Sequence, residues 1–394
     1  MANNPVITKS IFLNLAHFLD HFFILIYATA VIAIALEFDQ SYGEILVYAT
    51  PGFVLFGAMA LPFGWLGDRW GRHRLILIFF VGIGFSSLFI GLSQNIWQIA
   101  GGLTAIGLFA AIYHPVGIPM LVQGIERPGR ILGINGVFGN LGVAAAPLFV
   151  GFIDVQYGWR TAFIVPGILS IVIGGLFWKL VPRDKPRGSK SGPAISLDDV
   201  FVPGWRHVLG VIAVIALMGG LIFNSTTISL PKLFEERLTL SSVEFMNYTV
   251  MASIAYACAS IAQIVTGYAV DRLSAKSLII GIVFSQALIF VGVAQTDGLP
   301  VFFLALLGMS SVFGQIPIID TLITRYVPDS HRGKVFSVRY LLNLTVGAMA
   351  VPLISYLHEW GGGFQSLFLF LSFCALTMAV AATTLPNRVK SRLA

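Results

Sequence analysis

The stretch GWLGDRWGRHR, residues 64–74, has a counterpart in GYAVDRLSA, residues 267–275, and that pairing decides how the chain is organised. Gly64, Asp68 and Arg69 in the first stretch stand 203 positions before Gly267, Asp271 and Arg272 in the second. The same separation of 203 relates Asn140 in GNLGVA to Asn343 in LNLTVGA, and it sets His21 opposite Asn224. Coincident matches at one offset mark an internal repeat of about half the chain.

What lies between these stretches is apolar. Of 394 residues, 57% are hydrophobic and 11% charged, with 41 glycines. A soluble protein of this length needs a charged surface that such a composition cannot supply, whereas a lipid-facing surface needs none. The expectation is an all-α integral membrane protein. Each crossing of the hydrocarbon takes about 20 residues of helix, and runs of that kind fall at 11–36, 44–66, 75–93, 97–124, 131–153, 161–181, 207–230, 246–270, 277–295, 299–325, 333–357 and 364–385. That gives twelve spans, helical because a backbone in lipid must satisfy its own hydrogen bonds. The first run exceeds 20 residues and no small-residue cleavage site follows it, so it reads as a retained span and not a signal peptide.

Lys and Arg set the orientation, since positive loops stay cytoplasmic. With the amino terminus inside, only Arg160, Lys232 and Arg237 of the 24 Lys and Arg fall outside. Both termini are expected in the cytoplasm and the chain in the inner membrane. The formal charge of +6 belongs to loops facing headgroups, not to a nucleic-acid surface. The longest polar interval, Val181 to His207, mixes Pro, Gly, Ser and charge as a linker does, with a short amphipathic piece around Leu197 to Val202. It divides the chain into a six-helix bundle over 1–181, a cytoplasmic linker over 182–206 and a second six-helix bundle over 207–394. A parallel repeat of six spans is the sequence form of a transporter that binds its substrate near mid-membrane between two bundles and rocks one against the other.

GWLGDRWGRHR closely resembles the loop G-x-L-x-D-R-x-G-R-[RK] of the major facilitator superfamily, in residue type and in its place between the second and third spans. The resemblance implies the two-bundle fold over the whole chain. It also implies a conformational latch at Asp68, framed by Gly64, Arg69, Gly71 and Arg72 and echoed by Asp271 and Arg272. Apart from the family, the glycines allow close approach and a tight turn, and a plain topogenic loop is the alternative. Span 5 carries Gly133, Gly142, Ala146, Pro147 and Gly151 on the spacing G-x8-G-x3-G-P-x2-G-G of proton-coupled exporters, with Ala146 and Val150 replacing two glycines. GLFAAIYHPVG, residues 107–117, followed by GRILGINGVFGNLGVAAAPL, is similar to the fosmidomycin-resistance branch. That branch places an aromatic-His-Pro in span 4, here Tyr113, His114 and Pro115, and a His-x-x-Asn-Asp element in span 1, where this chain has His17, Asp20 and His21 with the acid one position earlier. The resemblance implies efflux of small, often toxic compounds. Many proton-driven exporters also carry an arginine in span 4 where this chain has Leu103.

Ionisable residues inside a span are costly and mark a cavity, a partner or a proton path. His17, Asp20 and His21, spaced three and four apart, share one helical face. Such a cluster either gains and loses a proton as the cavity opens to each side, or its histidines bond backbone carbonyls. His114 stands between Tyr113 and Pro115, whose ring frees a carbonyl, and this suggests a kinked, cavity-lining turn, with a satisfied packing histidine as the alternative. Asp320 is expected to pair with Arg325 or with Arg339 as a gating ion pair. Asn135, Asn140, Asn224, Gln263, Gln315 and Asn343 offer neutral hydrogen bonds, and Tyr27, Phe223 and Tyr256 suit an amphipathic ligand; each serves equally to join helices. Cys258 and Cys374 lie apart in apolar runs and make neither a disulfide framework nor a metal site. No Gly-x-Ser-x-Gly, phosphate loop or His-x-x-x-His with an adjacent acid of metalloprotease type occurs, so no enzyme, cofactor or metal centre is expected. The sequence therefore points to a monomer acting on a small molecule with protons in the bilayer. It leaves export of a drug-like compound and import of an organic anion or other metabolite both open.

Overall fold

The computed structural model describes residues 5–123, 125, 129–183, 201–238 and 245–386, and every regular element among them is helical. The helices of the first half are α1 (Pro5–Glu37), α2 (Tyr42–Leu46), α3 (Thr50–Ala58), α4 (Ala60–Trp70), α5 (Arg72–Gly91), α6 (Ile96–Ala110), α7 (Ile118–Leu121), α8 (Gly129–Tyr157) and α9 (Trp159–Leu180), with a π-helical turn over Tyr113–Gly117. Those of the second half are α10 (Trp205–Arg237), α11 (Phe245–Arg272), α12 (Ala275–Gln295), α13 (Leu299–Tyr326), α14 (Asp329–Gly347), α15 (Ala350–Trp360) and α16 (Gly363–Thr383). Among the described residues eleven helical stretches are long and apolar enough to cross a membrane, and twelve when the pair Tyr42–Ala58 and Ala60–Trp70, bent by 48°, is counted as one span. Counted so, the described helices match the twelve expected spans. Most of the expected linker, including residues 197–200 of the amphipathic piece, lies outside the described residues.

Two breaks have one cause. Proline has no N–H to give the carbonyl four residues back, and its ring crowds that carbonyl. Pro62 stands four residues after Ala58, where α3 ends, and Pro352 four after Ala348, at the break between α14 and α15. The loop after α4 turns on Gly71, whose φ of 94° suits glycine alone.

Lipid contact is legible on α9, where Val165, Ile168, Leu169, Val172 and Leu176 are all about half exposed at a spacing of three and four. An apolar stripe facing outward is what a bilayer requires and water penalises. The described residues form two compact units: those of Met1–Ser189, Thr227–Glu235 and Ser241–Ile254, and those of Lys190–Thr226, Glu236–Leu240 and Ala255–Ala394. Within the first, α1 packs on α8, α5 on α9 and α3 on α6. Gly142 of α8 lies directly on the backbone of Phe18, so any side chain there would collide with the Phe18 carbonyl. Two glycines of the exporter-like spacing are thus closely packed, Gly142 on Phe18 and Gly151 on Thr249, while Gly133 faces open space. Within the second unit, α12 packs on α16 and α13.

The repeat is visible as packing as well as sequence. A Cβ on Gly64 would stand 3.4 Å from Pro115, and a Cβ on Gly267 would stand 3.9 Å from Pro317. Each unit thus seats a loop-proximal glycine of one helix on a proline of another.

Candidate functional site

The π-helical turn Tyr113–Gly117 carries the chemistry of the first unit. Pro115 interrupts the helical ladder, and the wider turn re-aims the residues beside it, a frequent device at functional sites. Gly64 and Gly67 of α4 pack on this turn, against Pro115 and Val116 respectively. The turn presents Tyr113 and His114 to α1, where His17, Asp20 and His21 lie on the facing side. The His17 ring stands 5.0 Å from the His21 ring and 5.3 Å from the His114 ring, centroid to centroid, and His21 stands 5.6 Å from His114. Tyr113 stacks on His17 at 4.9 Å. The sequence-predicted groups of spans 1 and 4 are therefore one cluster.

Asp20 is fully buried, and its Oδ2 lies 3.3 Å from His114 Nε2. That separation is within ion-pair range but not directed as a hydrogen bond, and neither Asp20 oxygen accepts a hydrogen bond among the described residues. A buried carboxylate held by so little is expensive unless a proton or another cation accompanies it.

The cluster is oriented by Asn135 of α8. His17 Nδ1 lies 2.7 Å from the Asn135 carbonyl, and because a carbonyl only accepts, that ring nitrogen carries the proton. The Asn135 side chain donates to Tyr113 Oη at 2.8 Å and to Asn14 Oδ1 at 2.9 Å. Gly139, one turn on, lets the His17 ring lie on the α8 backbone; a Cβ there would come within 2.7 Å of the ring. Asn14 and Gly139 escaped the sequence reading, and Asn135 appeared there only as one polar position among six. Asn14 lies three residues before His17, so its share of the same helical face was the available signal.

Other predicted residues stand elsewhere. Tyr27 bonds the Ile45 carbonyl and is buried with Phe23, Phe53, Leu103 and Ile106 around a small apolar cavity. Leu103, at the place of the exporter arginine, makes part of that wall. Asn140 is half-buried next to Gly139. In the second unit Asn224 donates to the Gly220 carbonyl at 2.9 Å, Asn343 packs its backbone on Gly220, and buried Gln315 leaves Oε1 without a hydrogen bond among the described residues. Asp68 pairs with Arg72 at 3.1 Å one turn away, Arg69 lies over the Trp65 ring at 4.6 Å, and Asp271 and Arg272 are exposed at the end of α11.

For Asp320 the two expected partners separate. Asp320 pairs with Arg339, whose guanidinium also lies 5.2 Å from the Tyr340 ring, while Arg325 donates to the Val270 carbonyl at 3.1 Å. Five residues along one helix put Arg325 on a different face from Asp320, which explains the split.

A helical membrane protein with one polar cluster inside a bundle defines a class of carriers, and comparison with known proteins supplies the family. The Major Facilitator Superfamily model matches residues 13–314 and, separately, 247–393. The chain belongs to this superfamily of multi-pass membrane transporters. "Multidrug resistance protein MdtG" of Yersinia enterocolitica serotype O:8 / biotype 1B is 24% identical over 324 residues, which cover 80% of this chain and 76% of that protein. The protein of the same name from Escherichia coli O17:K52:H18 is 25% identical over 334 residues, 83% of this chain and 80% of that one. "Multidrug resistance protein B homolog" of Mycobacterium tuberculosis (strain CDC 1551 / Oshkosh) is 27% identical over 153 residues, and the chain spans only 28% of its length. A solved bacterial homolog of the human lysosomal transporter Spinster, in an inward-facing and unoccupied conformation, superposes with a TM-score of 0.74 at 14% identity over 97% of this chain and 96% of that one. That likeness fixes the fold.

Proposed function

We propose that the chain is a secondary transporter that exports a small drug-like or toxic organic compound in exchange for protons, by alternating access between its two halves. It acts as a monomer in the inner membrane with both termini in the cytoplasm, and its span 1, 4 and 5 motifs resemble those of the fosmidomycin-resistance exporters. The observation that carries the proposal is the buried carboxylate of Asp20 set among His17, His21 and His114 inside one bundle. Names of relatives that specify multidrug resistance support export.

In this mechanism the cluster built on Asp20 takes up a proton from the side to which the cavity is open, which changes the charge of the cluster by one. Water solvates that charge in the open state and is expelled as the cavity closes, so protonation and conformation are linked. His17, oriented by Asn135, and His21 share the coupling role with Asp20. Polar positions Tyr113, Asn140, Asn224, Gln315 and Asn343, with Tyr27 behind them, belong to the substrate path. Gly64, Asp68, Arg69, Gly71, Arg72, Asp271 and Arg272 form the latch, and Asp320 with Arg339 forms a gate whose neighbour Arg325 braces α11.

The test is transport in proteoliposomes under an imposed pH gradient, with candidate compounds first selected by thermal stabilisation at two pH values. The intact protein should move the compound in proportion to the gradient. Asp20→Asn should remove that response while its melting profile stays cooperative. A full response in Asp20→Asn sinks the assignment of Asp20, and indifference of the intact protein to the gradient sinks proton coupling. Deletion that raises drug sensitivity supports export; deletion that instead costs growth on a nutrient overturns the direction.

A further inference from the structure

We propose that His17, His21 and His114, with the carboxylate of Asp20, form a binding site for a divalent transition-metal ion of the zinc type. One ligand nitrogen from each of the three histidines lies within 4.8 Å of the other two. A tetrahedral zinc centre holds its nitrogens at about 2.0–2.1 Å, which sets them about 3.3 Å apart, so the three nitrogens need draw together by at most about 1.5 Å. Two of the histidines come from successive turns of α1 and the third from the π-helical turn, so the nitrogens converge from two sides.

Two independent features point to a cation. The first is Asp20, fully buried beside the histidines, with both oxygens unmet by any hydrogen-bond donor among the described residues. The second is the tautomer of His17. Its Nδ1 proton is committed to the Asn135 carbonyl at 2.7 Å, which leaves the lone pair on Nε2. Metal-ligating histidines are oriented in this way, by a backbone carbonyl or carboxylate on the nitrogen that does not bind metal. Here the orienting residue is itself fixed by Tyr113 and Asn14.

The donor set selects the ion. Three imidazoles, with the Asp20 carboxylate beside His114 as a nearby counter-charge, suit zinc, cobalt, nickel or copper, whereas magnesium and calcium require oxygen ligands. The spacing of His17 and His21 gives two ligands in sequence, and the third lies far along the chain, so only the fold assembles the site. Other described histidines are differently placed: His73 bonds the Val181 carbonyl at 2.9 Å and stacks on Phe177, His207 bonds the Thr384 carbonyl at 2.9 Å, and His358 has its two ring nitrogens taken by Glu236 at 2.8 Å and Glu359 at 3.0 Å.

The site uses the same four side chains as the proposed proton relay but does not depend on transport, so it is tested by binding alone. The full chain, purified in detergent with an affinity tag free of histidine, is dialysed against Zn2+ and separately against Co2+, and bound metal is counted. The expected result is one ion per chain, an intense visible Co2+ absorption of the tetrahedral kind, and no displacement by a hundredfold excess of Mg2+. His21→Ala and His114→Ala should each weaken Zn2+ binding at least tenfold, His21→Cys should restore it, and His207→Ala and His358→Ala should leave it unchanged. Absence of saturable binding, or binding unaltered in His21→Ala and His114→Ala chains that elute and melt as the intact protein does, overturns the proposal. Loss of binding in His21→Ala that His21→Cys fails to recover also overturns it. The proton relay stands or falls separately, on the gradient response of Asp20→Asn.

Discussion

Each half of the repeat keeps charge in its interior, but the two do so in opposite ways. In the first, Asp20 sits with three histidines and no directed hydrogen bond, a group whose charge is free to change. In the second, Asp320 is locked to Arg339, and an arginine stays protonated at any pH of interest. The offset of 203 shows what was exchanged: Gly220, Phe223 and Asn224 stand where His17, Asp20 and His21 stand in the first half. Both halves retain the glycine-on-proline contact, Gly64 with Pro115 and Gly267 with Pro317. A duplicated scaffold has thus kept this packing in both copies and, among the described residues, carries a histidine cluster in one only. Motion of the scaffold and coupling to a cation are separable properties.

The harshest way to break the comparison is to make the first half like the second. Asp20→Phe with His21→Asn gives it the side chains of Phe223 and Asn224, removing a buried charge and adding apolar volume. The chain should still insert and melt cooperatively, because the α1–α8 packing at Gly142 and Gly139 is untouched. Its transport should lose the whole pH response, at least tenfold at the steepest gradient, and its metal binding with it. A double variant that still follows the gradient would show that the coupling group lies outside this cluster.

The fixed pair gives the next largest effect, on stability. Asp320→Asn leaves the Arg339 charge, 10% exposed at its side chain, without its partner, whereas Arg339→Gln leaves a carboxylate that is 38% exposed and can hydrate. Asp320→Asn should therefore be the more damaging, by about 1–3 kcal/mol, less than for a fully buried pair because Asp320 meets solvent. Thermal unfolding in detergent ranks the two, and the charge-reversed double variant Asp320→Arg/Arg339→Asp should recover part of the loss. Equal destabilisation by both single variants would show that the pair is solvated alike on each side.

Much of this fold was written in the chain. Apolar runs of spanning length, basic loops and the 203-residue offset require only local composition and are fixed before packing begins. Half of the site was equally plain, since His17, Asp20 and His21 share a face by periodicity alone. What stayed hidden were long-range meetings. That His114 reaches Asp20 depends on a π-helical turn, and Pro115 announces a distortion without its direction. Asn135 has no charge and no motif, so its position beneath His17 and Tyr113 could come only from how α8 lies on α1. Asp320 had two arginines in prospect; the five-residue spacing counted against Arg325, but only the placement of α14 beside α13 brings Arg339 to it.

Asn135 offers a smaller test that stays inside the first half. Asn135→Ala removes the side-chain bonds to Tyr113 and Asn14 but keeps the backbone carbonyl that receives His17 Nδ1–H. Removing these bonds from two buried polar groups should cost about 1–3 kcal/mol. If the carbonyl alone orients His17, metal affinity should change far less than in His21→Ala. A loss as large as that of His21→Ala would mean that the asparagine side chain, and the position of the whole α8 turn, holds the ring.

The smallest expected effect is at Arg325, and it sharpens the contrast between fixed and braced charge. Its guanidinium donates to the Val270 carbonyl at 3.1 Å, near the end of α11, where the last carbonyls of a helix lack partners of their own. Arg325→Gln should cost about 1 kcal/mol or less, because water can take over an acceptor at a helix end and glutamine can still donate. It should also leave the effect of Asp320→Asn unchanged, so that the two substitutions add within about 0.5 kcal/mol in the double variant, as independent sites do. A coupling above about 1 kcal/mol in that cycle would place Arg325 in the field of Asp320, and the second half would then hold a triad instead of a pair.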